Sequence, residues 1–252
     1  MVVKSSLRKL LKSLIPSFIL VARRNLLNAK ECKRLESLTS KEAFTKIYSE
    51  GLWGKSNDWG FYSGTGSHTG EIVSAYVNAV EKFLTSFEKK PDVVDLGCGD
   101  FAVGLQIRDL CANYIACDVV EQLIICNKEK FKELNVDFRV LDITSDELPV
   151  GDIVFIRQVL QHLSNKKILA VLHKLQKYRY IILTEHLPDA VNFDANIDIP
   201  VGAGIRLGLG KVGSGVVLTR EPFHFNPTRE IVLCEVSEEG GLIRTILYES
   251  CH

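Results

Sequence analysis

Val93-Val94-Asp95-Leu96-Gly97-Cys98-Gly99-Asp100-Phe101-Ala102 decides the fold of this chain. A short apolar run ends in a glycine turn, and a helix pattern follows to about Leu110. Glycines at such a turn let the backbone approach a ligand closely, and the helix start offers free N–H groups. The next apolar run, Tyr114 to Cys117, ends at Asp118, 21 residues after Gly97. An acid at the end of a second strand is placed to accept hydrogen bonds from a ribose.

Outward from this turn the chain alternates. Helix patterns at Glu121–Leu134 and from about Asn165 to Tyr178 are interleaved with apolar runs at Phe138–Leu141, Ile153–Ile156 and Tyr180–Leu183. Strand, helix, strand is the signature of a parallel sheet covered on both faces. Two last strand-like runs, Ile231–Val236 and Leu242–Tyr248, are joined by only Ser237 to Gly241. So short a link cannot make a parallel crossover, so the two are antiparallel neighbours if they pair. Before the turn, Ile72, Val73, Tyr76, Val77, Val80, Phe83 and Leu84 share one helical face. Residues 51–70 form an aromatic, glycine-rich loop. Residues 187–227, with Pro188, Pro200 and Pro222, break the rhythm as a lid insertion would.

The 252 residues carry 31 basic and 31 acidic side chains, so no global basic field points to a nucleic-acid partner. Seven cysteines without a C-x-x-C pair suggest neither a disulfide scaffold nor a zinc site, and a reducing, cytoplasmic compartment is the natural reading. Residues 1–50 read as a separate helical segment ahead of a domain at 51–252. Met1 to Lys30 contains seven basic and no acidic residues, with Leu7, Leu10, Leu11, Leu14 and Phe18 at helical spacing. Two readings stand for residues 1–24: a helix packed on the domain, or a basic amphipathic segment lying peripherally on an anionic membrane face. The nine-residue apolar run Leu14–Ala22 is too short to span a bilayer.

Gly97-x-Gly99-x-x-Ala102 formally satisfies the dinucleotide fingerprint. Asp95 argues against a pyrophosphate there. At an effective dielectric of roughly 20, a unit charge about 4 Å away contributes about 4 kcal/mol, repelling phosphate and attracting a cation. Asp142 adds a third acid to the same rim, and the turn holds no Arg or Lys. Three acids around a nucleoside site suit a positively charged, phosphate-free cofactor such as S-adenosylmethionine.

With these residues in view, the chain resembles a class I S-adenosylmethionine-dependent methyltransferase. Val93 to Gly99 resembles the family's glycine motif, Cys117-Asp118-Val119 its ribose-binding acid, and Leu141-Asp142-Ile143 the motif that binds the adenine amino group. Asp152 to Leu163 resembles the fourth-strand motif, where substrate and cofactor meet. The resemblance implies an α/β fold, Rossmann-like and doubly wound, with a seven-stranded, mostly parallel sheet ending in a C-terminal antiparallel hairpin. It implies cofactor contacts from Asp95, Gly97, Cys98, Gly99, Asp118, Val119, Asp142, Ile143 and Arg157. Phe101 stands where the family often has a third glycine. No Asn/Asp-Pro-Pro-aromatic motif follows the fourth strand, which weighs against amide or nucleobase acceptors. A small-molecule or saccharide-like hydroxyl acceptor, lipid-linked ones included, is the expectation.

His162, His186 and Glu185, beyond the fourth and fifth strands, are the catalytic candidates, with His162 slightly preferred as base. Tyr62 to His68 would bind an anion, cover the methionine end, or be a surface turn. Asn192, Asp194, Asn196, Asp198, Arg206, Arg220 and His224, on a flexible cover, would suit a polyhydroxylated acceptor. No metal site is expected. The competing readings are an NAD(P)-dependent oxidoreductase and a catalytically silent binding protein of the same fold.

Overall fold

Strand β1 (Val93–Leu96) is buried at every position and β4 (Ile153–Arg157) at all but its last, so both sit mid-sheet with each face covered. In the computed structural model, which describes residues 38–55, 60–238 and 240–250, seven strands form one sheet in the order β3-β2-β1-β4-β5-β7-β6. Strands β2 (Tyr114–Asp118) and β3 (Asp137–Val140) lie on one side of β1. Strands β4 and β5 (Tyr180–Leu187) lie on the other, all parallel.

The order reverses between β1 and β4. Right-handed crossovers therefore put the helices that follow β1 and β2 on one face and the helix that follows β4 on the other. The first face carries α3 (Gly104–Ile107) and α4 (Glu121–Lys130), the second α5 (Asn165–Leu175). The crevice at the reversal, beyond the carboxyl ends of β1 and β4, is where an open α/β sheet binds its ligand. The hairpin of β6 (Arg229–Glu238) and β7 (Gly241–Glu249) completes the sheet, with β7 antiparallel to both neighbours. The register pairs His186 with Ile243, so the end of β5 is stapled to the hairpin.

Helix α1 (Ser40–Glu50) starts at Thr39, whose hydroxyl accepts from the Glu42 N–H while the Glu42 carboxylate accepts from the Thr39 N–H. It ends where Gly51 takes a left-handed conformation, φ 64°. Its Ala43, Phe44 and Ile47 join the main core, so residues 40–50 pack with the domain from which the sequence reading set them apart. Residues 1–24, and with them the membrane-surface reading, lie outside the described residues. Among the described residues no helix is long and apolar enough to cross a membrane. Helix α2 (Gly70–Leu84) buries Ile72, Val73, Tyr76, Val80 and Leu84, and leaves Val77 and Phe83 only partly covered.

The helix expected to run to Leu134 stops at Lys130 and is followed by a short 3-10 turn at Lys132–Leu134. Phe131 turns inward there, into a cluster with Phe101 and Phe138. Residues 187–227, the expected insertion, are tied into the domain by buried polar side chains. Arg206, 1% exposed, threads its guanidinium into the carbonyls of Ile197 (2.8 Å), Gln161 (3.1 Å) and Leu163 (2.7 Å). The Asn196 amide donates to Val217 and Glu221 carbonyls at 2.8 Å each. Buried polar groups so fully satisfied hold an irregular segment in one conformation.

Candidate active site

A cavity of about 440 Å³ opens at the crevice, within the range of small-molecule sites. Its floor over β1 to β3 is the glycine turn with Cys98, Asp118, Val119, Leu141, Asp142 and Ile143. Gly97 and Gly99 have φ of 82° and 55°, a backbone that L side chains rarely adopt. A Cβ on Gly97 would also fall 2.4 Å from a Val159 methyl carbon.

The Asp118 carboxylate accepts one backbone N–H on each oxygen, from Gly99 (3.2 Å) and Val120 (3.0 Å). Each oxygen keeps a further lone pair for a ligand hydroxyl. Burial pushes this carboxyl up to about 6, against the pull of those N–H donors. Asp142 accepts from the Thr144 N–H (2.9 Å) and hydroxyl (2.7 Å) and lines the same wall. Asp95 lies beside this floor in a small adjoining void of about 30 Å³, shared with Gly97, Cys98, Ser67 and Arg157. The Tyr114 hydroxyl donates to it at 2.9 Å, and burial raises its carboxyl to about 7.

The Tyr62–His68 loop is a strap across the glycine turn. The Ser63 N–H donates to Asp100 Oδ2 (3.0 Å), the Asp100 N–H returns a bond to Ser63 Oγ (2.8 Å), and His68 Nε2 donates to Asp100 Oδ2 (2.7 Å). Arg157 Nη2 donates to the Gly66 carbonyl at 2.6 Å and Nη1 to Ser67 Oγ at 3.2 Å, with the guanidinium over the Tyr76 ring. The loop is thus tied across the glycine turn at both of its ends.

Over β4 to β7 the cavity changes character. Val159, Leu163, Ala203, Ile205, Leu207 and Ile243 line it, and Phe44, Leu52 and Trp53 close it from the N-terminal side. The Trp53 indole N–H donates to the Ala203 carbonyl (3.3 Å), and its ring centroid lies 4.9 Å from that of His162. Sequence reasoning flagged residues 51–70 as an aromatic loop but had no signal that Phe44, Trp53 and Ala203 converge. None of the seven polar residues of the insertion lines the cavity; its contribution is apolar side chains and backbone.

The two histidines differ. Both nitrogens of His162 are engaged: Nδ1 is 3.2 Å from the Gly204 carbonyl, and Nε2 is 3.3 Å from the Gln161 amide nitrogen. Burial drops its pKa to about 4. His186 also lines the cavity, but its buried Nε2 has no hydrogen-bond partner. Burial lowers its pKa as well, so the ring is neutral at pH 7. It fits because position 241 is glycine: a Cβ there would stand 3.3 Å from His186 Nε2 and 2.1 Å from the Leu187 carbonyl oxygen.

Glu185 is not among the lining residues. Its two oxygens accept the N–H groups of Leu160 (3.1 Å) and Gln161 (2.9 Å), and burial raises its carboxyl to about 8. The side chain expected among the catalytic candidates therefore caps the turn after β4. Gln161, held by that bond, reaches both histidines, since its Oε1 accepts the His186 N–H at 3.0 Å.

A sheet ordered 3-2-1-4-5-7-6, with an antiparallel seventh strand and a glycine turn over β1, defines the class I methyltransferase fold. The model of the methyltransferase domain family matches residues 93–178, from β1 past the end of α5. The N-methyltransferase NodS from Bradyrhizobium japonicum WM9, solved with S-adenosylhomocysteine, superposes with a TM-score of 0.59 at 10% identity, covering 83% of this chain and all of that one. Magnesium protoporphyrin IX methyltransferase (ChlM) from Synechocystis PCC 6803, solved with S-adenosylmethionine, gives 0.54 at 17% identity, covering 85% of this chain and 99% of that one. At such identities the likeness is one of fold. No curated protein sequence matches the chain.

Proposed function

We propose that this protein is an S-adenosylmethionine-dependent methyltransferase acting on the hydroxyl of a small molecule. The observation that carries the reading is the acid-rimmed glycine turn: Asp95, Asp118 and Asp142 surround a cleft whose turn holds no cation, under a strap that closes one end. The solved relatives with bound S-adenosylmethionine or S-adenosylhomocysteine support the same cofactor. Asp118 would hold ribose hydroxyls, Asp142 and Ile143 the adenine, and Gly97, Cys98 and Gly99 the backbone side. Asp95 would face the methionine end, with Arg157 fixing the strap above it.

When bound, the cofactor supplies a methyl group on a sulfonium whose bonding pair stays with sulfur. The chain's task is then to align the acceptor in line with that methyl group and to take its proton. Alignment can supply roughly 7–11 kcal/mol. An acceptor hydroxyl placed in line with that methyl group would give up its proton as the oxygen takes the methyl, and the His186 imidazole on the cavity wall would receive it. The resulting imidazolium returns the proton to water. His186 is favoured over His162 because it lines the cavity with no hydrogen bond holding its buried Nε2, while both His162 nitrogens are engaged. Glu185 and Gln161 are positioning residues, fixing the turn that carries His162 against the end of β5 that carries His186.

Calorimetry with S-adenosylhomocysteine and with NAD(H) tests the reading. Micromolar binding of the former and none of the latter is expected; the reverse would favour the oxidoreductase.

A further inference from the structure

Resting on that reading, we infer that the acceptor is an uncharged molecule with an apolar body and a single polar nucleophile, seated between the Trp53–Phe44 wall and the Ile205–Leu207 wall. The argument is one of what the acceptor half of the cavity can and cannot satisfy.

Arg157 is the only Lys or Arg side chain among the described residues lining the cavity. Its terminal nitrogens are committed to Gly66 and Ser67, and its flat face rests on Tyr76, 5.1 Å from the ring centroid. A carboxylate or phosphate acceptor would reach no open N–H there, since the remaining nitrogen, Nε, is unpartnered but buried. It would also meet Glu238, at the tip of the β6–β7 hairpin, on the cavity wall. A buried anion without a partner is strongly disfavoured.

A sugar fares no better. The polar side chains of the insertion turn into the protein, where Arg206 and Asn196 are bonded to backbone carbonyls. His162 and Gln161 bond to each other and to backbone. A ring of hydroxyls would lose its hydration against Ile205, Leu207 and Trp53 and regain few bonds.

Two nitrogens of cavity-lining residues have no partner, Arg157 Nε and His186 Nε2, both buried. Of the two side chains only the His186 imidazole stands on the acceptor side, where it can serve one hydroxyl. Leu52, 40% exposed at the rim, extends the apolar surface outward. Large apolar walls with few polar groups suit an apolar alcohol or phenol.

Naphthol is a suitable probe, beside naphthoate and methyl glucoside as charged and polyhydroxylated counterparts. Each is titrated calorimetrically into the full chain with and without S-adenosylhomocysteine. Naphthol is expected to bind, and the other two to bind at least roughly tenfold more weakly. Leu207→Asp and the rim variant Leu52→Asp, which spares the interior, should each weaken naphthol about tenfold or more while S-adenosylhomocysteine affinity holds.

Naphthoate or glucoside binding as tightly as naphthol overturns the proposal. So does naphthol failing to bind, or binding unchanged in both variants. If naphthol discriminates as expected but S-adenosylhomocysteine does not bind, the cofactor reading fails and the acceptor wall stands.

Discussion

The two halves of the cavity are built from opposite materials. Over β1 to β3 the floor is backbone and carboxylate: two glycines at positive φ, with Asp118 and Asp142 bonded to neighbouring N–H groups at strand ends. Over β4 to β7 the walls are Trp53, Ile205, Leu207 and Ile243, contributed by α1's exit loop, the insertion and the hairpin. The first half recognises charge and hydroxyls through positions that the sheet itself dictates. The second is assembled from segments whose paths depend on long-range bonds such as Arg206 to Leu163. A cofactor common to a fold belongs to the first kind of surface, and an acceptor particular to one enzyme to the second.

The largest expected effect separates chemistry from binding. His186→Ala should lower turnover at saturating cofactor by about 10²–10⁴-fold while S-adenosylhomocysteine affinity stays unchanged. His162→Ala should cost less than about tenfold, because its nitrogens are already occupied and burial keeps it a weak base. Single-turnover kinetics on the two variants decide it, and equal losses would remove His186 from its role.

Asp118→Ala should act on the other half alone. Losing charge-assisted bonds of about 1.5–3 kcal/mol corresponds to roughly 10–150-fold in cofactor affinity. Calorimetry should find naphthol binding untouched; a matched loss in both would mean that the halves are one coupled site.

The pH response sharpens the contrast. Burial raises Asp95 to about 7 and Asp118 to about 6, so the free site gains its full negative charge only above those values. Burial lowers His186 below the usual imidazole range. From pH 8 to pH 6, affinity for the cationic cofactor should fall about tenfold. Turnover at saturating cofactor should change little until more acid conditions. Affinity flat across that interval would show that neither carboxylate titrates in the free protein.

The parallel core and the cofactor rim were legible because they follow from local pattern. Ile153–Ile156 can only be a doubly buried strand, and Asp118 and Asp142 close apolar runs at the strand ends. The antiparallel hairpin followed from its short link. The acceptor half was not legible, since nothing local in Arg206 says that its guanidinium will be swallowed by the turn at 160–163. Nor does the sequence around His162 and His186 distinguish a ring locked by Gly204 and Gln161 from one left open by Gly241. Glu185 misled for the same reason: a carboxylate at a strand end reads as functional until its two N–H donors are seen.

The strap over the glycine turn has a consequence for how the molecule breathes. Ser63 is tied to Tyr48 on one side and to Asp100 on the other, while Gly66 and Ser67 are tied to Arg157, about 90 residues away in sequence. Lifting the strap takes two donors from Asp100 Oδ2, frees the Arg157 guanidinium and uncovers the turn at once, so none of these opens alone. The backbone amides of Ser63 and Asp100 therefore belong to one cooperative opening unit, and they exchange their hydrogens with solvent together rather than as independent loops.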